Sequence, residues 1–122
     1  MKWDSIRVST RTTRLFGAMR ASTGMTSDVL ARFSLCLSLG QRGTPNPDEY
    51  NEDGSTLAPS EMFGGDEQIY MALVLDRLRE DGLDPKDHLG RMTRAHINRG
   101  AIGLRQRVGR ASDFERLARE AA

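Results

Sequence analysis

The sequence predicts a mainly α-helical protein, folded as a single compact domain and opened by one short N-terminal β-strand. Three observations carry this. The chain has 122 residues, enough for one hydrophobic core and not for two. Apolar residues recur at helical spacing in four segments bracketed by capping residues and glycines. Only residues 5–9, Ser-Ile-Arg-Val-Ser, alternate as a strand does, with Ile6 and Val8 on one face and Ser5, Arg7 and Ser9 on the other.

The elements follow in order. Ser9 or Thr10 caps a first helix over about 10–22, whose apolar face holds Leu15, Phe16 and Met19 and which Gly24 closes. Thr26 or Ser27 caps a second helix over 27–39, stopped by Gly40. Val29, Leu30, Phe33, Leu35, Cys36, Leu37 and Leu39 leave it little polar face. A helix this apolar is expected to be buried on most sides, with Cys36 in the core, and in so short a chain that implies an oligomer. Residues 40–65 form an irregular break marked by Pro45, Pro47, Asp53-Gly54, Pro59 and Gly64-Gly65, with a hairpin signal at Asp53-Gly54. Asp66 caps a third helix over 67–81, ended by Gly82. Asp84-Pro85 opens a fourth over 85–98, ended by Gly100. The Ser112-x-x-Glu115 pattern of a capping box opens a final helical piece, Asp113 to Ala121. We assign residues 1–108 to the domain and 109–122 to a C-terminal helical tail.

Composition narrows the function. No apolar run reaches the length of about 20 residues that spans a bilayer, and the Met-Lys-Trp-Asp-Ser opening lacks the apolar stretch and cleavage site of a secreted protein. The single Cys36 excludes an internal disulfide and a cysteine zinc cluster. A cytoplasmic protein without membrane contact is expected. The net charge of +1 conceals three blocks. Residues 1–43 carry seven bases and two acids, a net of +5. Residues 44–90 carry three bases and twelve acids, a net of −9. Residues 91–122 carry eight bases and three acids, a net of +5. Such blocks suit a polyanion at the two ends, with the acidic middle held elsewhere. Sixteen of the eighteen bases are Arg, the side chain suited to phosphate forks and buried ion pairs.

No catalytic constellation emerges. His88 and His96, eight residues apart, lie about 12 Å apart along a helix axis, too far for one metal, and a structural or solvent role is expected of them. Gly64-Gly65 lacks the residues of a phosphate loop. Asp48, Glu49, Glu52 and Asp53 lack the spacing of a calcium loop and read as a solvated acidic loop. No metal and no cofactor are expected. The stronger signal is basic. Arg7, Arg11 and Arg14 surround the strand end and the first helical turn, where amide dipoles favour phosphate. Strand, helix and helix in this order are ribbon-helix-helix-like, the arrangement that places a paired β-ribbon in the DNA major groove. Arg99, beside Asn98 and Gly100, is a fourth candidate contact. An internal ion pair with an acid such as Asp81 is its alternative role.

Particular blocks then carry a family resemblance. Ile6-Arg7-Val8-Ser9, Ser22-Thr23-Gly24-Met25-Thr26 and Val29-Leu30-Ala31-Arg32-Phe33-Ser34-Leu35, followed by Asp81-Gly82-Leu83 and Ala95-His96-Ile97-Asn98-Arg99-Gly100, resemble the DndE family in order and spacing over residues 4 to about 105. The resemblance implies a role in DNA phosphorothioation, a modification of the restriction–modification kind in which sulphur replaces a non-bridging phosphate oxygen. It implies a homotetramer that binds nicked double-stranded DNA through basic residues, with no established cofactor. Its partners would be an iron–sulphur protein resembling PAPS reductases, an SMC-like ATPase and the cysteine desulfurase that supplies sulphur. The family's contacts are mostly lysines, whereas this chain has only Lys2 and Lys86. The role therefore transfers to surface arginines, for which Arg7, Arg11, Arg14 and Arg99 are the candidates. Two alternatives stay open from the residues alone: a ribbon-helix-helix repressor reading bases through Ser5, Arg7 and Ser9, and a metal-dependent nickase using the acidic loop.

Overall fold

Ser9 sets where the strand ends and the first helix begins. The computed structural model describes residues 1–121. In it β1 is only Ile6–Arg7, because Ser9 turns away to cap α1 (Thr10–Thr23), its Oγ accepting from the Thr12 amide at 3.0 Å. Gly24 closes α1 with φ of 76°, the left-handed conformation that glycine adopts without a Cβ penalty. Thr26 caps α2 (Ser27–Leu39) through the Val29 amide.

The break is shorter on structure than on periodicity. It holds a 3-10 turn at Pro47–Glu49, strand β2 (Thr56–Leu57), helix α3 (Pro59–Phe63) and a second 3-10 turn at Gly64–Asp66. Elements of two to five residues complete too few periods to register in a sequence. The strand β2 supplies the antiparallel partner of β1, with Ile6 opposite Leu57 and Arg7 opposite Thr56. Val8 extends the pairing through its amide to Ser55 O (3.0 Å) and its carbonyl to the Gly54 amide (2.9 Å). The N-terminal strand is thus paired within the chain.

Helix α4 spans Glu67–Glu80. Asp66 stands before it but accepts no capping bond, because the preceding 3-10 turn feeds the helix directly. Gly82, at φ of 71°, lies just past its end. Asp84 caps α5 through the Lys86 amide, with Pro85 first. Here the expected end at Gly100 fails, and α5 runs on through Pro85–Arg107. Gly100 is a contact point instead. A methyl group there would collide with the Ser34 carbonyl and lie 2.9 Å from Ser34 Cα. The glycine lets α2 and α5 cross backbone to backbone. After Val108 comes α6 (Ala111–Ala121). Asp113 rather than Ser112 holds its start, since its carboxylate accepts from the Gly109 and Arg110 amides at 2.8 and 2.9 Å. Those two bonds hold the Asp113 carboxyl below its ordinary range.

The core lies between α2, α5 and the elements around them, and includes Phe16, Met19, Leu30, Leu35, Phe63, Leu78, Ile97 and Leu104. Trp3 is anchored at one end of it, its ring 4.7 Å from Phe63 and its indole N–H donating to Thr93 Oγ1 at 2.9 Å. Helix α2 is less enclosed than expected. Leu30, Ala31, Ser34, Leu35 and Ser38 are buried, while Phe33 and Cys36 are exposed on its outer face. Cys36 is therefore no core residue, because the helix turns Leu35 and Ser38 inward instead. Phe114 of α6 covers Phe33, ring to ring at 4.7 Å, so the chain's own tail takes up part of that face. Among the described residues no helix is long and apolar enough to cross a membrane.

Candidate nucleic-acid interface

The segment Ala95 to Gly100 is the fastening strip of the fold. Asn98 Oδ1 accepts from the Ser9 amide (3.1 Å) and from Thr12 Oγ1 (2.7 Å), so α5 fixes the junction of β1 and α1. His96 lies 2.8 Å from Ser38 Oγ through Nδ1. Arg99 Nε also donates to Ser38 Oγ, at 2.8 Å. Ser38 Oγ, with one proton and two lone pairs, thus joins His96 of the strip to the Arg99 guanidinium. Desolvation, with the Arg99 and Arg77 charges adding to it, pushes the His96 pKa down to about 4.

Arg99 reaches further along the end of α2, donating to Ser38 O and Gly43 O at 2.8 Å and to Arg42 O at 3.4 Å. Burial and the neighbouring Arg77 charge lower its pKa. Arg77 works beside it, donating to the carbonyls of Leu39 and Gln41 at 2.8 Å and to that of Gly43. Arg77 also takes Asp81, at 3.1 Å, as its ion-pair partner. Two guanidinium forks thus gather the carbonyls at the negative end of the α2 dipole.

Arg7, Arg11 and Arg14 are all exposed, and none forms an ion pair among the described residues. Arg7 points outward from β1 opposite the buried Ile6. Arg11 and Arg14 are three apart on the first turns of α1 and so share a face. Arg11 and Arg99 meet electrostatically at Tyr50. Burial first and Glu49 second raise its hydroxyl pKa, and both arginines oppose that rise. Arg7, Arg11 and Arg14 are thus exposed on the neighbouring elements β1 and α1, whereas Arg99 is half-buried and spends its donors on Ser38 and on the carbonyls of Arg42 and Gly43.

Two expectations about this junction need correction. Three of its amides are not free for phosphate: Ser9 N goes to Asn98, Thr10 N to Asn51 Oδ1 at 3.0 Å, and Thr12 N to Ser9 Oγ. Nor does the acidic segment lie elsewhere. Asn51 bonds Thr10, Gly54 bonds Val8, and Arg94 draws the segment in through the carbonyls of Pro47, Tyr50 and Asn51. Glu52 lies 3.5 Å from Arg94 and Asp48 lies 3.7 Å from Arg91. The backbone of this acidic loop closes the top of α1, and basic residues of α5 hold it there. Among the described residues no three His, Cys, Asp or Glu side chains gather to hold a metal.

Sequence reasoning missed a groove of about 360 Å³ beside this junction, between the N-terminal segment and the first turns of α5. Lys2, Arg7, Lys86 and Arg91 line it. Its signal in the sequence was the lone Trp3, a large apolar anchor that ties the segment carrying Lys2 and Arg7 down beside α5.

A family model described as DNA sulphur modification protein DndE matches residues 5–111. Among solved structures the fold is similar to DndE from Escherichia coli B7A, described as involved in DNA phosphorothioation modification. That likeness has a TM-score of 0.68 at 22% identity and covers 85% of this chain and 98% of that one. A double glycine-to-lysine mutant of DndE, described as involved in DNA phosphorothioation, superposes with a TM-score of 0.67 at 19% identity, over 85% of this chain and 99% of that one. At such identities these two likenesses concern the fold. No curated protein matches the sequence. The family match is of a different kind, because it spans the strand, the fastening strip on α5 and every element between them: the chain belongs to the DndE family of DNA sulphur modification proteins.

Proposed function

We propose that this protein is the DNA-binding accessory subunit of a DNA phosphorothioation system, and that it holds nicked double-stranded DNA by its phosphates. The observation that carries the reading is the exposed trio Arg7, Arg11 and Arg14 at the β1–α1 junction, which has no ion pair among the described residues. With the Ser9, Thr10 and Thr12 amides there already occupied, the side-chain forks are the main donors for phosphate. Arg99 contributes from behind, by ordering the 38–43 segment that presents the exposed Arg42. Such contacts position the protein without reading bases. The subunit acts in the cytoplasm, where an iron–sulphur PAPS-reductase-like protein and an SMC-like ATPase are its partners. Neighbouring genes encoding those two would support the assignment.

The reading includes self-association, with a homotetramer as the working unit. Exposed Phe33, Ile69 and Leu73, at 40%, 61% and 47%, are unusual burdens for a free surface. Light scattering should give about four times the chain mass, and a monomer near 13.6 kDa at micromolar concentration would refute it.

The decisive experiment is fluorescence anisotropy of a nicked duplex over a salt series. Log K should fall linearly with log salt at a slope of about −0.9 per phosphate contacted. Replacing Arg7, Arg11 and Arg14 together by Ala should weaken all sequences alike and reduce the slope by about one per true contact. A triple variant that binds with the wild-type slope refutes the placement.

A further inference from the structure

We propose that the groove between the N-terminal segment and the start of α5 binds a nucleoside 5′-phosphate, as the phosphorylated end of a DNA strand or as a free nucleotide. This rests on the reading of the chain as a DNA-binding protein and names what one part of its surface recognises.

The groove gathers more cations than the concavities beside Arg20, Arg32 and Arg42. Its volume of about 360 Å³ falls in the range, about 300–1,000 Å³, that encloses small ligands. Cations reach it from two directions, Lys2 and Arg7 from the N-terminal segment and Lys86 and Arg91 from α5. Lys2, Arg7 and Lys86 have no ion-pair partner among the described residues. Arg91 is held by Asp48 at 3.7 Å, but that carboxylate is 85% exposed, and such a pair yields readily to a better anion. The two acids on the lining, Asp4 and Glu52, leave the groove net positive, and Glu52 is already engaged with Arg94.

The ligand class follows from charge and shape. A phosphate monoester carries about −1.5 to −2 at neutral pH, whereas an internal phosphodiester carries a single charge. A cleft lined by one sign of charge focuses its field on whatever enters. Several cations in a cleft therefore favour the terminal group over the internal one. Leu89 supplies an apolar wall for sugar or base, and Gly90 leaves the α5 backbone bare. A methyl group at Gly90 would have no neighbour within 4 Å, so the ligand meets no side chain there.

The test uses the full chain and duplexes that differ only in carrying a 5′-phosphate or a 5′-hydroxyl at the nick, read by anisotropy. A deoxynucleoside 5′-monophosphate and the unphosphorylated deoxynucleoside are titrated separately by calorimetry. The wild type should favour the phosphorylated nick by about tenfold, the worth of one charge-assisted contact. The Lys2→Ala/Lys86→Ala variant should lose that preference while binding the 5′-hydroxyl nick as before, and circular dichroism should show it folded. Displacement of the phosphorylated nick by the monophosphate would show that strand end and nucleotide share the groove. Monophosphate binding that the double variant loses, without any preference between nicks, would assign the groove to free nucleotide. Equal binding of both nicks with no monophosphate binding overturns the proposal while leaving DNA binding intact, as does a preference that survives in the variant. Failure of the wild type to bind any duplex overturns the proposed function instead, and the monophosphate titration still decides the groove.

Discussion

Replacing Gly100 by Ala should destabilise the protein severely, although alanine is the better helix former. The added methyl would lie 2.9 Å from Ser34 Cα and closer still to the Ser34 carbonyl. Carbon atoms pack at about 3.5–4.0 Å, so α2 and α5 must part by about 1 Å. The obstacle is backbone, which no side-chain rotation relieves. Overpacking against backbone of this kind costs about 3 kcal/mol. The natural control lies ten residues earlier on the same helix. A methyl at Gly90 meets nothing, so Gly90→Ala should gain about 0.5–1 kcal/mol from helix propensity alone. Urea unfolding followed by circular dichroism separates the two. With a slope of about 1.5 kcal/mol per molar, Gly100→Ala should lower the midpoint by about 2 M, and Gly90→Ala should raise it slightly. A Gly100→Ala protein with the wild-type midpoint would refute the close crossing of α2 and α5.

Further outcomes follow from single side chains. Leu35→Asp should unfold the protein at room temperature, because Leu35 is fully buried and an unpaired carboxylate there costs several kcal/mol. A folded, assembled, DNA-competent Leu35→Asp protein would count against the core assignment. His96 predicts a pH dependence of definite sign. Its pKa is about 4 folded against 6.5 unfolded, so the unfolded chain binds more protons between those values. Stability should hold above pH 6.5 and fall as the pH drops towards 4. Urea midpoints over this window should fall less steeply for His96→Gln, and parallel falls would show that His96 carries none of the effect.

What the sequence revealed was what is decided locally. Ser9, Thr26 and Asp84-Pro85 cap helices through bonds to residues two or three positions on, and the boundaries they predict hold to within a residue or two. Gly24 and Gly82 end helices through their own φ. Gly100 could not be told from them, because its partner is a backbone 66 positions earlier. The β2 strand and α3 were too short to show a period. The same division runs through the site. Exposure of Arg7, Arg11 and Arg14 follows from strand alternation and from lying off the apolar face of α1. The fates of Arg77, Arg94 and Arg99, fastened to the carbonyls of loops 34 to 47 residues away, or 56 to 61 for Arg99, depend on how those loops fold back. A fork that faces carbonyls and one that faces solvent are the same letter.

The anchoring of Trp3 has an optical consequence. It is the sole tryptophan of the chain, and its ring is sealed against Phe63 and tied to Thr93. Excited at the red edge of the indole band, where Tyr50 and Tyr70 are dark, it emits as a single chromophore in an apolar setting. Whatever lifts the N-terminal segment from α5 must wet that ring and move its emission to longer wavelength. Emission from an unlabelled, unmodified chain therefore distinguishes a ligand that settles under the segment from one that pries it loose.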